Sequence, residues 1–467
     1  MTGPDLEAEL ARTRRRLETK ERELDDIHRS RAWQFVVALR SLKYKLVDPV
    51  LGVFGISWPR RRSAAHVVSD TIAPARNGKY DVICLSTCEW NARFQRPQQL
   101  LSQFADAGHR VFYVSPHFGH SQSIRHVRPN LYEVTFAGEP LNVYADSLDA
   151  RNAGVSPAEQ GASRSRPENR GETPPAQPAR RRRSDALFDA LNLLRTNASI
   201  DTAAMIVQLP FWWPLARRAR EQFGWPVIYD CMDLHSGFST VRRAMVAQEE
   251  ELLANADVVV VSSALLERRA LQHRESAVMV RNACDYDHFA RVTKADNARP
   301  VIGYYGAISD WFDSALVADL AARRPDWDFV LIGSTYNAAI SRLVKLPNVS
   351  LPGEEPYEWL PEQLSRFDIA IIPFKRTPLT EATNPVKVYE MLAAGLPVVA
   401  APIPEVAALA PLVRVASTAE EFEQQIIAAL ADDDDTREAR RAFAREQTWQ
   451  HRFAILANAT ADAMSRA

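Results

Sequence analysis

One short segment, residues 384–400, constrains the fold more than any other part of the chain. It opens on Asn384 and Pro385, carries Lys387 and Glu390, and closes on Gly395, Leu396, Pro397, Val398, Val399 and Ala400. Pro385 suits a helix's first turn, where its missing N–H costs nothing and its φ is already helical. The helix that follows sets Lys387 and Glu390 three residues apart, hence on one face. Gly395 suits the left-handed position that ends a helix, and Pro397 prevents its continuation. The apolar run at 398–400 then reads as a buried strand of a parallel sheet. A helix start attracts anions through its free N–H groups and dipole. A lysine for a diphosphate and a carboxylate for ribose hydroxyls complete the pattern of a nucleotide-sugar site. The competing reading is an ordinary β-α-β unit with Lys387 and Glu390 as a surface pair worth only about 0.2–0.5 kcal/mol.

A chain of 467 residues exceeds what one core holds, so two domains with additions are expected. With 46% hydrophobic residues and a net charge of −1, the composition is that of a soluble globular protein and excludes one that coats nucleic acid. No run approaches the roughly 20 apolar residues of a membrane span, and the acidic N-terminus is not a signal peptide. The four cysteines, Cys84, Cys88, Cys231 and Cys284, lack the spacing of a zinc site and are too few for a disulfide framework.

Residues 1–46 read as a helical extension. Leu10, Leu17 and Leu24 repeat every seven, with Leu6 and Ile27 partly filling the second seam and Thr13 and Lys20 interrupting it. A short coiled coil that self-associates or docks a partner is one reading, and a solvated helix the other. From Arg31 to Leu46 aromatic and aliphatic residues alternate with Arg and Lys, and Arg60, Arg61 and Arg62 follow. That stretch suits peripheral contact with an anionic membrane surface, or else packing on the protein's own body. A linker fills 47–78. Residues 151–184, rich in Ser, Pro, Arg, Gly and Glu, cannot bury enough surface to offset their ordering entropy and read as a disordered insertion.

Elsewhere strands alternate with helix-length stretches, which predicts an α/β fold. Strands are expected at 81–86, 111–114, 204–209, 227–230 and 256–263, then at 301–306, 329–333, 348–353, 368–373 and 398–400. Loops after strand C-termini line the crevice of such sheets, which selects Trp90, Arg93 and Arg96 as acceptor or diphosphate contacts, although salt bridges to the neighbouring helix explain those arginines equally well. The same rule selects Asp230, Asp233 and His235. Asp233 is the first candidate for a base that deprotonates an acceptor hydroxyl, with Asp230 and His235 behind it. A helix cap would explain that aspartate equally well. Gly306 ends the strand at 301–305, where backbone N–H groups can approach phosphate.

The segment 384–400, together with the strand and glycine turn at 301–306, resembles the donor-binding domain of GT-B glycosyltransferases of the group 1 family. The stretches from Arg96 to Leu100 and from Gly108 to Val111 resemble the bacterial polysaccharide and cell-surface glycan type. The resemblance covers roughly 80–467 without the insertion and is strongest from 301 to 405. It implies two doubly wound Rossmann-like domains facing a central cleft: an acceptor side at 79–290 and a donor side at 291–445. A C-terminal helix at 446–467 would return to the first domain. It also implies that Glu390 grips the ribose, with Gly306, Lys375, Thr383, Asn384 and Lys387 around the donor. Transfer would run from a nucleotide sugar to a lipid-linked or polysaccharide acceptor, in the cytoplasm or on the inner face of the plasma membrane.

Two departures from the family stand out. Glutamates eight residues apart are common in retaining relatives, yet that position is Ala382, and Glu381 is one residue out of register. The Arg-and-Lys pair after the glycine turn is replaced by Ile308, Ser309, Asp310 and Trp311, and Lys387 with Lys375 or Arg376 could supply the charge instead. Stereochemistry stays open. No Asp-x-Asp motif occurs in the donor region, so no metal or other cofactor is expected. A nucleotide-sugar 2-epimerase and a non-catalytic scaffold of the same fold are the alternatives.

Overall fold

The structure is a computed structural model that describes residues 72–138, 143, 183–238, 241–335 and 338–467. The expected N-terminal extension and the linker through residue 71 lie outside the described residues. So does the expected insertion through residue 182, and a helix, Arg183–Asn197, takes up its last two positions. Two sheets organise what is described.

The first holds β1 (Asp81–Leu85), β2 (Val111–Gly119), β3 (Ser123–Arg128), β4 (Leu131–Ala137), β5 (Ala203–Val207), β6 (Val227–Cys231), β7 (Val258–Val261) and β8 (Val278–Met279). Their order is β3-β4-β2-β1-β5-β6-β7-β8, parallel except for β3 against β4. The second holds β9 (Val301–Tyr305), β10 (Asp328–Ile332), β11 (Val349–Gly353), β12 (Ile369–Ile372), β13 (Val398–Ala400) and β14 (Val413–Val415), in the order β11-β10-β9-β12-β13-β14 and parallel throughout.

Both faces of the first sheet are covered, as a parallel sheet requires. Ile83, Leu85, Phe112, Met205 and Val207 point to one core, and Val82, Cys84, Val111, Ala204 and Ile206 to the other, following the two-residue period of a strand. The last helix, Trp449–Arg466, belongs to the second of these cores through Trp449, Leu456 and Ala463, and its Phe453 meets Phe104 edge to face at 4.9 Å. Residues from the chain's end thus complete the core of its beginning. All four cysteines are free thiols. Among the described residues no helix is long and apolar enough to cross a membrane.

The two sheets present their C-terminal edges to each other. Arg93, beyond β1, reaches Glu354 beyond β11 at 2.6 Å. Phe238, beyond β6, meets Trp311 beyond β9 with ring centroids 6.5 Å apart. A Cβ on Gly237 would lie 2.9 Å from that of Leu379, beyond β12. The hydroxyl of Ser263, beyond β7, donates to the Ala382 carbonyl at 2.6 Å. The crevice rule for open α/β sheets therefore locates the ligand cleft between the two edges.

Candidate active site

The helix Val386–Ala393 starts one residue later than the sequence suggests, with Pro385 in its extended cap position, and Gly395 follows its end at φ +75°. Its buried face leaves little room for bulk water around Glu390, whose carboxylate accepts a hydrogen bond from the Tyr305 hydroxyl at 2.5 Å. Burial raises the Glu390 pKa to about 7; the bond from Tyr305 and the charge of Lys387 oppose the rise. Lys387 lies one turn earlier. Its Nζ donates to the Tyr304 hydroxyl at 3.1 Å and sits 4.7 and 4.9 Å from the ring centres of Tyr304 and Phe374. Burial lowers its pKa to about 7, Glu390 opposes that shift, and Arg93 adds to it. Acid and base forms of both groups are therefore accessible near neutrality, which marks the pair as a functional-site candidate rather than a surface ion pair.

Gly306 ends β9 at φ +124°, and a Cβ there would lie 2.6 Å from the Lys387 Nζ. Only glycine combines that backbone with so close an approach of the lysine. Gly333 ends β10 at φ +151°, with a virtual Cβ 1.9 Å from the Gly306 carbonyl oxygen, and Gly353 ends β11 at φ +99°. Three adjacent strands thus finish in glycine turns and form a floor without side chains beside Lys387.

Other residues expected at the donor have different employment. The Asn384 amide donates to Tyr389 at 3.0 Å and to Glu405 at 3.2 Å, while its carbonyl oxygen accepts the Asn282 backbone N–H at 2.8 Å. It is an interdomain latch whose side-chain N–H groups are both engaged. The Thr383 hydroxyl donates to the Leu379 carbonyl at 2.8 Å, and that of Thr380 to the Lys375 carbonyl at 2.5 Å, so neither proton is available to a phosphate. Lys375 is exposed, its Nζ 2.9 Å from the Asp310 carbonyl. Glu381 pairs with Arg376 at 2.9 Å.

On the facing edge the three candidate bases separate. Asp230 is buried in an ion pair with Arg96 at 2.7 Å, and the guanidinium also binds the Val280 carbonyl at 2.7 Å and the Asn282 side chain at 3.2 Å. This corrects the expectation for two residues: Asp230 is not a free base and Arg96 is not a ligand contact, because each satisfies the other's buried charge. Asp233 is partly buried, with no hydrogen bond to its carboxylate among the described residues. Burial raises its pKa to about 6, Arg96 opposing and Asp230 reinforcing. His235 is 5% exposed, and burial and then the charge of Arg269 push its pKa down to about 4. Its Nε2 has no partner among the described residues, so the ring is neutral at pH 7.

Gln208, absent from the sequence reading, ends beside Asp230 with its Nε2 3.4 Å away and its Oε1 unpaired. A polar residue directly after the apolar run of β5 was the signal for it. On this edge stand an unpaired carboxylate and, shut off from solvent, a neutral imidazole and an amide oxygen, opposite a lysine, a carboxylate and a glycine floor.

Comparison with known proteins fits this geometry. Residues 299–432 match the family model described as "Glycosyl transferases group 1". TuaH of Bacillus subtilis (strain 168), named as a candidate teichuronic acid biosynthesis glycosyltransferase, is 28% identical over 256 residues, which is 49% of this chain and 64% of that protein. The match spans less than two thirds of the relative's length. Among solved structures, a sucrose-phosphate synthase from Thermosynechococcus elongatus aligns with 83% of this chain and 100% of its own at a TM-score of 0.62 and 13% identity. A glycosyltransferase from Rickettsia africae ESF-5 aligns with 84% of this chain and 100% of its own at 0.57 and 10% identity. An alpha,alpha-trehalose 6-phosphate synthase from Burkholderia multivorans aligns with 83% and 99% at 0.56 and 9% identity. At those identities the likeness is one of fold: two Rossmann-like domains about a cleft. Residues 299–432 therefore carry a group 1 glycosyltransferase domain, and the chain as a whole has the GT-B fold.

Proposed function

We propose that the protein transfers a sugar from a nucleoside-diphosphate donor to a lipid-linked or polysaccharide acceptor of the cell envelope. The observation that carries this is the pair on one helix face: Glu390 held by Tyr305, and Lys387 held over Gly306. Ribose hydroxyls donate to the carboxylate, the diphosphate lies along the glycine floor, and Lys387 stabilises the negative charge that grows on the departing diphosphate. Asp233, across the cleft, takes the proton of the acceptor hydroxyl, and the neutral His235 orients that hydroxyl through Nε2. No metal is required in this scheme, since the lysine supplies the charge. The acceptor class rests on the likeness to TuaH, and such an acceptor would suit an enzyme of the cytoplasm or of the inner face of the plasma membrane.

Thermal stabilisation by UDP, GDP, dTDP and CDP tests the donor site. A nucleotide at a hundred times its dissociation constant adds about 2.7 kcal/mol, a shift of several degrees. One of the four stabilises the wild type and fails with Glu390→Ala. No shift with any of them refutes the donor site.

A further inference from the structure

A diphosphate brings more negative charge than one lysine balances, and the second cation is found on the opposite domain. Arg93 lies in the loop beyond β1 and crosses the cleft to Glu354 at 2.6 Å. Glu354 directly follows Gly353, whose carbonyl accepts the Gly333 N–H at 2.7 Å; Gly333 abuts Gly306, and Gly306 abuts Lys387. The guanidinium is therefore moored at the rim of the glycine floor, with Lys387 at its other end.

We propose that Arg93 is the second cation of the donor-diphosphate site, held by Glu354 while the site is empty and exchanged onto phosphate when a donor enters. This rests on the donor-site reading above. Arg93 and Glu354 are 41% and 49% exposed, so solvent screens the pair and little holds it against a competing anion. The planar fork of an arginine suits two phosphate oxygens at once, which a lysine cannot match. Its charge already reaches the floor, where it favours the neutral form of Lys387 and the ionised form of Tyr304. A diphosphate between Lys387 and Arg93 removes that repulsion and replaces a direct interdomain bond with one through the ligand.

Calorimetric titration of wild type, Arg93→Ala, Arg93→Lys and Glu354→Gln tests this, using UDP, GDP, dTDP and CDP and, for whichever binds, the matching nucleoside. Arg93→Ala weakens the diphosphate about tenfold or more and Arg93→Lys less, since charge survives without the fork. Glu354→Gln tightens the diphosphate a few-fold, because the competing carboxylate is gone. None of the three changes affinity for the nucleoside. Diphosphate affinity within twofold of wild type in Arg93→Ala overturns the proposal, as does parallel weakening in Glu354→Gln, which would make the pair merely structural. A wild type that binds none of the four diphosphates overturns the donor reading itself.

Discussion

Donor affinity is expected to peak near pH 7 and fall on both sides, for two separable reasons. Burial lowers the Lys387 pKa to about 7, so at pH 9 only about one molecule in a hundred of the empty protein carries the charged lysine. A bound diphosphate returns the lysine toward its ordinary range, so binding above pH 7 takes up a proton. The sign follows: affinity for the diphosphate falls as pH rises, by about tenfold or 1.4 kcal/mol per unit. Glu390, raised to about 7 by burial, must give up a proton before it accepts ribose hydroxyls, so affinity also falls as pH drops below 7. The nucleoside lacks phosphate and reports this acid limb alone. Calorimetry in two buffers of different ionisation enthalpy counts the protons, and uptake approaches one per diphosphate at pH 8.5. Lys387→Arg abolishes both the uptake and the alkaline fall, because a guanidinium does not deprotonate in this range. Flat diphosphate affinity from pH 7 to 9 with no proton uptake refutes the role of Lys387.

The remaining expectations are independent of that linkage. Arg96→Met leaves Asp230 buried without a counter-charge and lowers unfolding free energy by about 3–5 kcal/mol, read by denaturant titration; a loss under 1 kcal/mol contradicts the burial argument. Asp233→Asn reduces kcat by about 10²–10⁴ while donor affinity holds, and abolishes an acid limb of the rate profile near pH 6. Unchanged kcat removes Asp233 from the mechanism. Gly333→Ala drives a methyl group into the Gly306 carbonyl at an unfavourable φ, and a loss of about 3 kcal/mol or more is expected in thermal unfolding. Chelation by EDTA leaves donor affinity unchanged; a loss restored by a divalent cation would show that Lys387 and Arg93 are not the whole of the counter-charge.

What was legible in the sequence was local. The helix with Lys387 and Glu390, its terminal glycine and the strand at 398–400 announce themselves within seventeen consecutive residues. Most strands of both sheets are apolar runs and were expected within a few residues of their observed ends. The hairpin β3–β4 was not, because β3 is a polar edge strand, Ser-Ile-Arg-His-Val-Arg, with no buried residue to set a period. The site failed to be legible wherever a polar side chain's partner is remote. Asn384 reads as a ligand group until Asn282, 102 residues upstream, is seen bound to it. Asp230 reads as a base until Arg96, 134 residues away, closes on it. Arg93 and Glu354 are 261 positions apart, and neither motif nor spacing links them.

These remote contacts form one connected structure across the cleft. Asn282 accepts from Arg96 through its side-chain oxygen at 3.2 Å and bonds Asn384 through both its backbone and its side-chain amide. Arg96 fixes Asp230, three residues before Asp233, and Asn384 stands three residues before Lys387. Glu405 adds a second tie: its carboxylate accepts from Asn384 at 3.2 Å, from Arg281 at 2.8 Å and from the Ala264 N–H at the start of the helix Ala264–Ala270. Buried polar groups satisfied in this way are costly to rearrange, because each bond broken leaves a donor or acceptor dry. The consequence is directional. Near Asn282 the two halves are pinned by buried polar groups, whereas around Arg93 they meet through the solvent-screened pair with Glu354, the Gln99 Nε2 bond to the Tyr357 hydroxyl at 3.0 Å and the Phe94–Tyr357 ring contact at 5.2 Å. The buried network about Asn282 is therefore the costlier of the two regions to part.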